Sequence, residues 1–284
     1  MLKIFVNNSF YTEKLELTNN EELYKLVSVD GLNPVKNSIK SNDCFTTPGL
    51  FYTSSKDEAR TLTFQFYLDS NAKVGLDMLC KYFIKDEAVT ITIDSYYIDG
   101  YVETIDFDMF SDKVACQVIV QCMYPYFKSV DTVTHNLQVG IENMLEFPYI
   151  PTSAGAPYAE LASGNNITIA NDSNIKSGLN ITLIIEQAIT GFKILNLNNG
   201  SEVQVTNPDG FEDNTRVYID TENEHKTLNY IDIYGEHSLL NFIDLDKPLL
   251  YLSVGTNVIR IECNNISETC YAYINYNFAK DWII

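Results

Sequence analysis

The side chains that most often perform acid–base or metal chemistry are few and scattered in this sequence. Its three histidines are His135, His225 and His237, and none belongs to a His-Glu-x-x-His motif or lies near a Gly-x-Ser-x-Gly turn. Glycine-rich loops of the kind that bind phosphate groups are also absent. The sequence therefore predicts a protein that is not an enzyme and that needs no cofactor.

One acidic cluster has the ligand chemistry that calcium prefers. Asp209, Glu212 and Asp213 follow one another closely, and carboxylate oxygens are hard ligands. Their spacing differs from that of a calcium-binding loop, and turns favour Asp and Asn because these side chains bond to the nearby backbone. We interpret the cluster as a turn and predict no metal site.

The six cysteines form no Cys-x-x-Cys pair. In a chain of 284 residues this spacing does not resemble a disulfide framework. We therefore expect reduced and mostly buried thiols.

The chain is strongly acidic, with 38 Asp and Glu against 19 Lys and Arg and a net charge of −19. Phosphate backbones and anionic membrane surfaces repel such a protein, so nucleic-acid binding and membrane association are not expected. No run of apolar residues is long enough for a membrane helix, and no signal peptide is evident, which predicts a cytoplasmic product. The charge favours solubility, or an acidic lining for a passage through which DNA slides.

The first part of the chain alternates between apolar and polar residues as strands do. Strands are predicted at 60–68, 89–94 and 114–122, with every second side chain pointing inward. A helix is predicted over 72–85, because Leu76, Leu79, Cys80 and Phe83 follow helical spacing. Ser70 or Asn71 is expected to cap its start.

The second part is rich in Asn and Thr, with short strand patterns between turns and no convincing helix. This pattern is typical of a β-sandwich or jelly roll. We predict two domains, residues 1–130 and 131–284, joined by a linker at about 128–145. The sequence leaves open whether the final strand, which ends with Trp282-Ile-Ile284, packs on the second domain or on the first. The predicted strands are 166–170, 179–186, 202–206, 216–220, 230–234, 257–263 and 271–278.

A series of segments along the first part resembles the N-terminal domain of the siphophage distal tail protein family. The series ends with Pro125-Tyr126-Phe127 after a strand, which is its most characteristic feature. Segments 171–182, 217–221 and 252–259 resemble the C-terminal, galectin-like domain of that family. The segments of the first part are Val29 to Pro34, Pro48 to Phe51, Ser54-Ser55, Arg60, Leu79 to Phe83, Val89 to Ile93, Asp99 to Glu103, Phe107 to Ser111 and Gln117 to Phe127.

The resemblance implies a mainly β fold: an N-terminal β-sandwich-like belt domain with one α-helix, and a C-terminal galectin-like β-sandwich. It implies a hexameric ring of identical chains at the tip of a phage tail, assembled in the bacterial host cytoplasm and retained in the virion. The expected partners are the tail-tube protein, the tail-associated lysin or tail-fibre hub, and a receptor-binding or baseplate protein. DNA would only pass through the lumen.

The ring interface is expected in loops around residues 41–59 and 106–113. The candidate interface residues are Asp30, Pro34, Phe45, Phe51, Arg60, Phe107 and Phe110.

Two alternatives remain. A carbohydrate-binding module that aids host recognition would use exposed aromatic rings, for which Tyr149, Tyr158 and Trp282 are the candidates. Galectin-type sugar binding requires a Trp platform with His, Asn and Arg nearby, and this sequence has one Trp, close to its end, and few His. The third hypothesis is a hydrolase with an unrecognised site.

Overall fold

The structure is a computed structural model, and it describes residues 3–18, 23–43, 48–68, 71–108, 114–139, 141–143, 159–161, 166–222, 226–244, 246–264 and 270–283. Contacts divide the chain into two units. The first unit contains Met1–Asp131 together with Ala279–Ile284, and the second contains Thr132–Phe278. The final segment, whose packing the sequence left open, thus belongs to the first unit.

The first unit contains one helix among its described residues and eleven strands. They are β1 (Ile4–Asn8), β2 (Leu15–Leu17), β3 (Tyr24–Asp30), β4 (Asn37–Asp43), β5 (Leu50–Asp57), β6 (Arg60–Leu68), α1 (Ala72–Tyr82), β7 (Ala88–Ile93), β8 (Tyr96–Phe107), β9 (Val114–Cys122) and β10 (Phe127–Ser129), with the last strand of the chain, Ala279–Lys280, pairing with β10.

Nine of these strands form one antiparallel sheet, in the order β2-β1-β7-β8-β9-β6-β3, with β10 beside β8 and Ala279–Lys280 beside β10. The predicted alternation is present: Leu62, Phe64, Phe66 and Leu68 of β6 are buried. Residues from both ends of the strand order, such as Leu15 and Tyr24, lie in the same core cluster. The sheet therefore curves around its own apolar side chains.

The helix is shorter than predicted and ends at Tyr82 instead of Lys85. Asn8 of β1 donates its side-chain amide to the carbonyls of Lys81 and Tyr82 at 3.1 and 3.0 Å, so a neighbouring strand satisfies carbonyls that the helix end leaves open. Asn71 is the N-cap residue but makes no capping hydrogen bond through its side chain, and Ser70 lies outside the described residues. Cys80, predicted to be in the buried stripe, is exposed.

The second unit is a sandwich of two antiparallel sheets. Its strands are β11 (Val133–Val139), β12 (Ile141–Asn143), β13 (Ala159–Leu161), β14 (Asn166–Asn171), β15 (Asn180–Ile185), β16 (Ile189–Asn196), β17 (Glu202–Phe211), β18 (Thr215–Asp220), β19 (Thr227–Asp232), β20 (Gly235–Ser238), β21 (Gly255–Cys263) and β22 (Cys270–Tyr276), so that Ala279–Lys280 is β23.

The six-stranded sheet has the order β11-β22-β15-β18-β19-β20, and the four-stranded sheet has the order β14-β21-β16-β17. Both contribute to one core, in which Leu183 and Ile274 of the first sheet and Ile194 and Ile261 of the second are fully buried. The mainly β class with a single helix is confirmed by these sheets. Within the described ranges, no helix combines the length and apolar character that crossing a membrane requires.

Candidate partner interface

The predicted strand 230–234 ends earlier than expected, and β16 was not predicted.

The segment 41–59 is also different from the predicted loop. Its described residues belong mostly to a hairpin of β4 and β5, with a register shift between Lys40 and Ser41. This hairpin forms a two-stranded sheet of its own.

Polar contacts close the base of the hairpin and join it to the rest of the first unit. The backbone N–H of Glu58 donates to the Lys36 carbonyl at 3.0 Å, and the Lys36 and Glu58 side chains lie 3.6 Å apart. The Tyr126 hydroxyl donates to the Asp57 carboxylate. Burial, and then this hydrogen bond, raise the pKa of Tyr126 well above its ordinary value. The phenol therefore remains a proton donor at neutral pH.

The rest of the hairpin is exposed on both strands, including its large apolar side chains. Ile39, Leu50, Phe51 and Tyr52 are each 64–66% exposed. Ile39 pairs with Ser55, Ser41 with Tyr52, and Asp43 with Leu50. Because side chains alternate along a strand, this register puts Ile39, Leu50 and Tyr52 on one face. Phe51, the residue chosen from the sequence, pairs with Asn42 and lies on the opposite face.

Arg60, the first residue of β6, is the most buried of the predicted interface residues that the structure describes, with 3% of its surface exposed. Its guanidinium donates to the carbonyls of Gly31 and Asn33, and Nε donates to the Pro125 carbonyl at 2.5 Å. It also lies 4.6 Å from the centre of the Phe127 ring. Burial lowers the pKa of Arg60, and the charge of Asp281 opposes that shift. The side chain is thus occupied by contacts within its own unit.

These contacts give a physical reason for the Pro-Tyr-Phe feature of the sequence. The Pro125 carbonyl and the Phe127 ring contact Arg60, while the Tyr126 hydroxyl contacts Asp57 at the end of β5. The three consecutive residues therefore connect β10 to the start of β6 and to the base of the hairpin.

Gly31 is required by the same arrangement. Its φ is +97°, and a Cβ atom there would lie 2.1 Å from the Thr61 carbonyl oxygen. The positive φ and the lack of space each exclude a side chain at this position.

The candidate interface residues Asp30 and Pro34, close to Gly31 in sequence, are both exposed, so they remain available to a partner.

Phe107, another predicted interface residue, is 48% exposed at the end of β8. It borders an open groove of about 490 Å³ on the first unit. Val27 and Tyr67, each about half exposed, also line this groove together with Asp106 and Gln117. The groove is therefore a mixed apolar and polar surface. Phe45 and Phe110 lie outside the described residues.

The candidate sugar-stacking residues are not brought together. Trp282 is 44% exposed and belongs to the first unit, while Tyr149 and Tyr158 lie outside the described residues. Among the described residues of the second unit, Tyr234 is the most exposed aromatic side chain, and it was not selected from the sequence. Together with Ile233 it occupies the turn between β19 and β20.

The residues considered for catalysis or metal binding have structural surroundings. His135 stacks on Tyr276, and His237 stacks on Tyr230 and lies 3.2 Å from Asp232. The predicted turn is not where Asp209 lies: Asp209 belongs to β17, in the stretch 207–210 that has no partner in the register with β16, and its backbone N–H donates to Asn207 Oδ1 at 3.1 Å. In the part of the chain that the structure describes, no three His, Cys, Asp or Glu side chains are grouped as metal ligands would be.

The chain is thus a two-unit, mainly β protein, and its β4–β5 and β19–β20 hairpins each carry exposed apolar side chains. It shares this fold with the SPP1 Dit protein, gp 19.1, described as a paradigm of the hub adsorption apparatus in phages that infect Gram-positive bacteria. The TM-score is 0.65 and the identity 11%, over 97% of this chain and 99% of that one. A chain of the phage P2 baseplate in its activated conformation with Ca matches with a TM-score of 0.50 and 11% identity, over the whole of both chains.

No protein-family model matches the sequence, and the comparison with curated proteins gives no match. The likeness to the distal tail protein family noted in the sequence is confirmed at the level of the fold.

Proposed function

We propose that this chain is a structural subunit of a phage tail tip, which associates with copies of itself into a ring and binds other tail proteins. It works through surfaces, without catalysis and without a cofactor. The observation that carries the proposal is the β4–β5 hairpin, whose apolar face has no cover among the described residues of the chain. The fold shared with SPP1 Dit supports this class of assembly.

The hairpin needs a partner for physical reasons. A two-stranded hairpin alone is marginally stable in water, and a set of exposed apolar side chains is typical of a protein interface. Contact between Ile39, Leu50 and Tyr52 of one copy and a different surface on the next copy is a head-to-tail interface. Such an interface builds a ring when the rotation between neighbouring copies closes.

The groove beside Phe107 is the surface that we assign as the acceptor. Val27 and Tyr67 supply exposed apolar area there, and Asp106 and Gln117 supply hydrogen-bonding groups. Interfaces combine apolar contact with a polar rim in this way. The predicted interface residues Asp30 and Pro34 are exposed and belong to the same unit.

The finer features of the proposal follow the family resemblance. Six first units form the ring, which stacks on the tail-tube protein on one side and on the tail-fibre or lysin hub on the other. The net charge of −19 supports a lumen through which DNA passes without being retained. The protein is assembled in the bacterial host cytoplasm and remains in the virion.

The second unit is assigned to the attachment of receptor-binding or baseplate proteins. Its β19–β20 hairpin forms one edge of the six-stranded sheet and exposes Ile231, Ile233 and Tyr234. An edge strand offers backbone groups for pairing, and the apolar turn offers contact area. Both features support binding of another protein.

Light scattering after size exclusion, combined with negative-stain images, tests the proposal on the full chain. We expect a species with the mass of six chains, or of two stacked rings, and a central hole. A monomer at all protein and salt concentrations would contradict self-association in solution. Binding of that monomer to a glycan array would then favour the carbohydrate-binding alternative.

A further inference from the structure

Two cysteines of the second unit come close together although the sequence gave no sign of pairing. Cys263 is the last residue of β21 in the four-stranded sheet, and Cys270 is the first residue of β22 in the six-stranded sheet. Their Sγ atoms lie 3.1 Å apart. A disulfide bond is about 2.05 Å long, so the two sulfur atoms need to approach by only about 1 Å.

Strand pairing holds both residues in place. Cys263 is paired with Phe192 of β16, and Cys270 is paired with Ile185 of β15 and with Val139 of β11. Each cysteine is thus anchored in a different sheet of the sandwich. The closeness of the sulfur atoms therefore follows from how the two sheets stack.

The two thiols differ in exposure. Cys270 is fully buried within the core of the second unit, whereas Cys263 is partly exposed and packs against that core. A small reagent in solution therefore reaches Cys263 first. Cys270 is placed to attack it from the inner side.

We propose that Cys263 and Cys270 are a redox-active pair, which a low-molecular-weight disulfide such as oxidised glutathione converts to an intramolecular disulfide. The Cys263 thiolate attacks one sulfur of the oxidant, forms a mixed disulfide and releases one glutathione thiolate. The Cys270 thiolate then attacks the Cys263 sulfur and releases the second. The protein loses two electrons and two protons, and the oxidant leaves as two molecules of reduced glutathione.

The bond joins the two sheets of the sandwich at one end. Cytoplasmic thiols stay reduced, whereas extracellular ones are oxidised, so the bond forms after the protein leaves the cell. This setting rests on the proposed virion location, but the pairing itself does not. A disulfide that closes a short loop stabilises modestly, and we expect the melting temperature of the second unit to rise by about 5 °C.

The experiment uses the full chain, incubated folded with either oxidised glutathione or a dithiol reductant, then unfolded and alkylated. After oxidation we expect an intact mass about 2 Da lower before alkylation, and two fewer alkylated cysteines. Trypsin cleaves after Arg260 and Lys280 and releases one peptide with both cysteines. A second protease that cleaves after Glu268 separates them, so the two pieces remain joined only through the disulfide.

Variants identify the pair. In the Cys263→Ser variant, every remaining thiol should still be alkylated after oxidation, and the melting temperature should not rise. The Cys80→Ser variant, at an exposed helix position, should behave like the unaltered chain. Full alkylation of Cys263 and Cys270 after oxidation of the unaltered chain would overturn the proposal, as would an unchanged mass loss in Cys263→Ser. These readouts do not depend on ring formation, so a monomer that forms the bond contradicts only the proposed function.

Discussion

Arg60 and Asp281 meet across 221 positions of the sequence, with Arg60 Nη2 3.4 Å from Asp281 Oδ1. The same guanidinium also donates to the Asp281 carbonyl, and Asp281 Oδ1 accepts from the Val35 backbone N–H at 2.9 Å. This contact holds the last residues of the chain in the first unit, together with the backbone hydrogen bond from Ile283 to Leu32 at 3.2 Å.

Replacement of Arg60 tests this contact. Arg60→Met leaves the carbonyls of Gly31, Asn33 and Pro125 without their donor, so we expect a loss of about 3–5 kcal/mol in the free energy of unfolding, measured by urea denaturation. The matched control is Arg260→Gln, which removes an exposed ion pair with Glu262 and should cost less than about 1 kcal/mol. Equal losses for the two variants would refute the structural role of Arg60.

Association through the hairpin is tested by Ile39→Ser combined with Leu50→Ser. Both side chains are exposed in the chain itself, so its own stability should change little, while the dissociation constant of the oligomer rises at least tenfold. Sedimentation of a dilution series measures this constant. The control pair, Ile233→Ser with Tyr234→Ser, changes even more exposed side chains of the second unit and should leave the ring intact. Loss of the ring in the control alone would contradict the assignment.

Gly75 provides a test in which helix propensity and packing predict opposite signs. Alanine normally stabilises a helix relative to glycine by about 1 kcal/mol. Here a Cβ atom would lie 2.5 Å from the Leu23 carbonyl oxygen, so Gly75→Ala should destabilise the first unit by about 1–3 kcal/mol. Thermal unfolding measures the change. Val74→Ala, at the exposed neighbouring position, should be neutral or stabilising.

Glu202 gives the second unit a pH-dependent stability. Its buried carboxylate lies 2.7 Å from Lys247 Nζ and 3.1 Å from Lys193 Nζ. The hydrogen bond from Lys247 has the largest effect and lowers the pKa of Glu202 from its ordinary 4.5. The hydrogen bond from Lys193 lowers this pKa further, while burial of the carboxylate raises it. The stabilisation is therefore present above pH 4.5 and is lost as the pH falls through the lower pKa of the folded state.

Glu202→Gln should accordingly be less stable at pH 7, by about 1.5–3 kcal/mol, and the difference from the unaltered chain should shrink below pH 4.5. Urea denaturation between pH 3 and pH 7, at about one-unit steps, follows the difference. Glu262→Gln removes an exposed carboxylate and serves as the control. A difference that is constant across this range would contradict the assigned ion pairs.

A buried amide pair connects two strands of the four-stranded sheet. Asn196 donates to Asn257 Oδ1 at 2.8 Å and to the Tyr251 carbonyl at 2.9 Å, and Asn257 donates to the Ser253 carbonyl at 2.7 Å. Asn257→Ala leaves several buried polar groups unpaired, each worth about 1–3 kcal/mol. We expect a lower melting temperature, and a change close to zero for Asn229→Ala, whose amide bonds an exposed Glu236.

Alternation was enough to predict the central strands. In β6, β7 and β9 every second residue is apolar, and burying that face removes a continuous apolar surface from water. The turn-rich second half likewise predicted a β-sandwich. These features are local, because the side chain period of a strand is fixed by its backbone.

The interface candidates could be predicted only in part. Phe51 and Phe107 are exposed as expected, but Arg60 is buried, because its partners come from segments that are distant in sequence. Leu50 lies within the predicted interface segment 41–59 but was not itself chosen, and Ile39 lies just outside that segment. Only the isolation of the β4–β5 hairpin from the main sheet leaves these side chains exposed.

By itself the sequence determined the β class, the acidic charge, the single helix and the likeness to a distal tail protein, because each depends on composition, local periodicity or order along the chain. The tertiary structure alone decided that the chain end returns to the first unit, that Ile39, Leu50 and Tyr52 share an uncovered face, and that Cys263 meets Cys270. These relationships arise from strand register and from the stacking of sheets. Both join residues that are distant in sequence or lie in different sheets, so no local pattern encodes them.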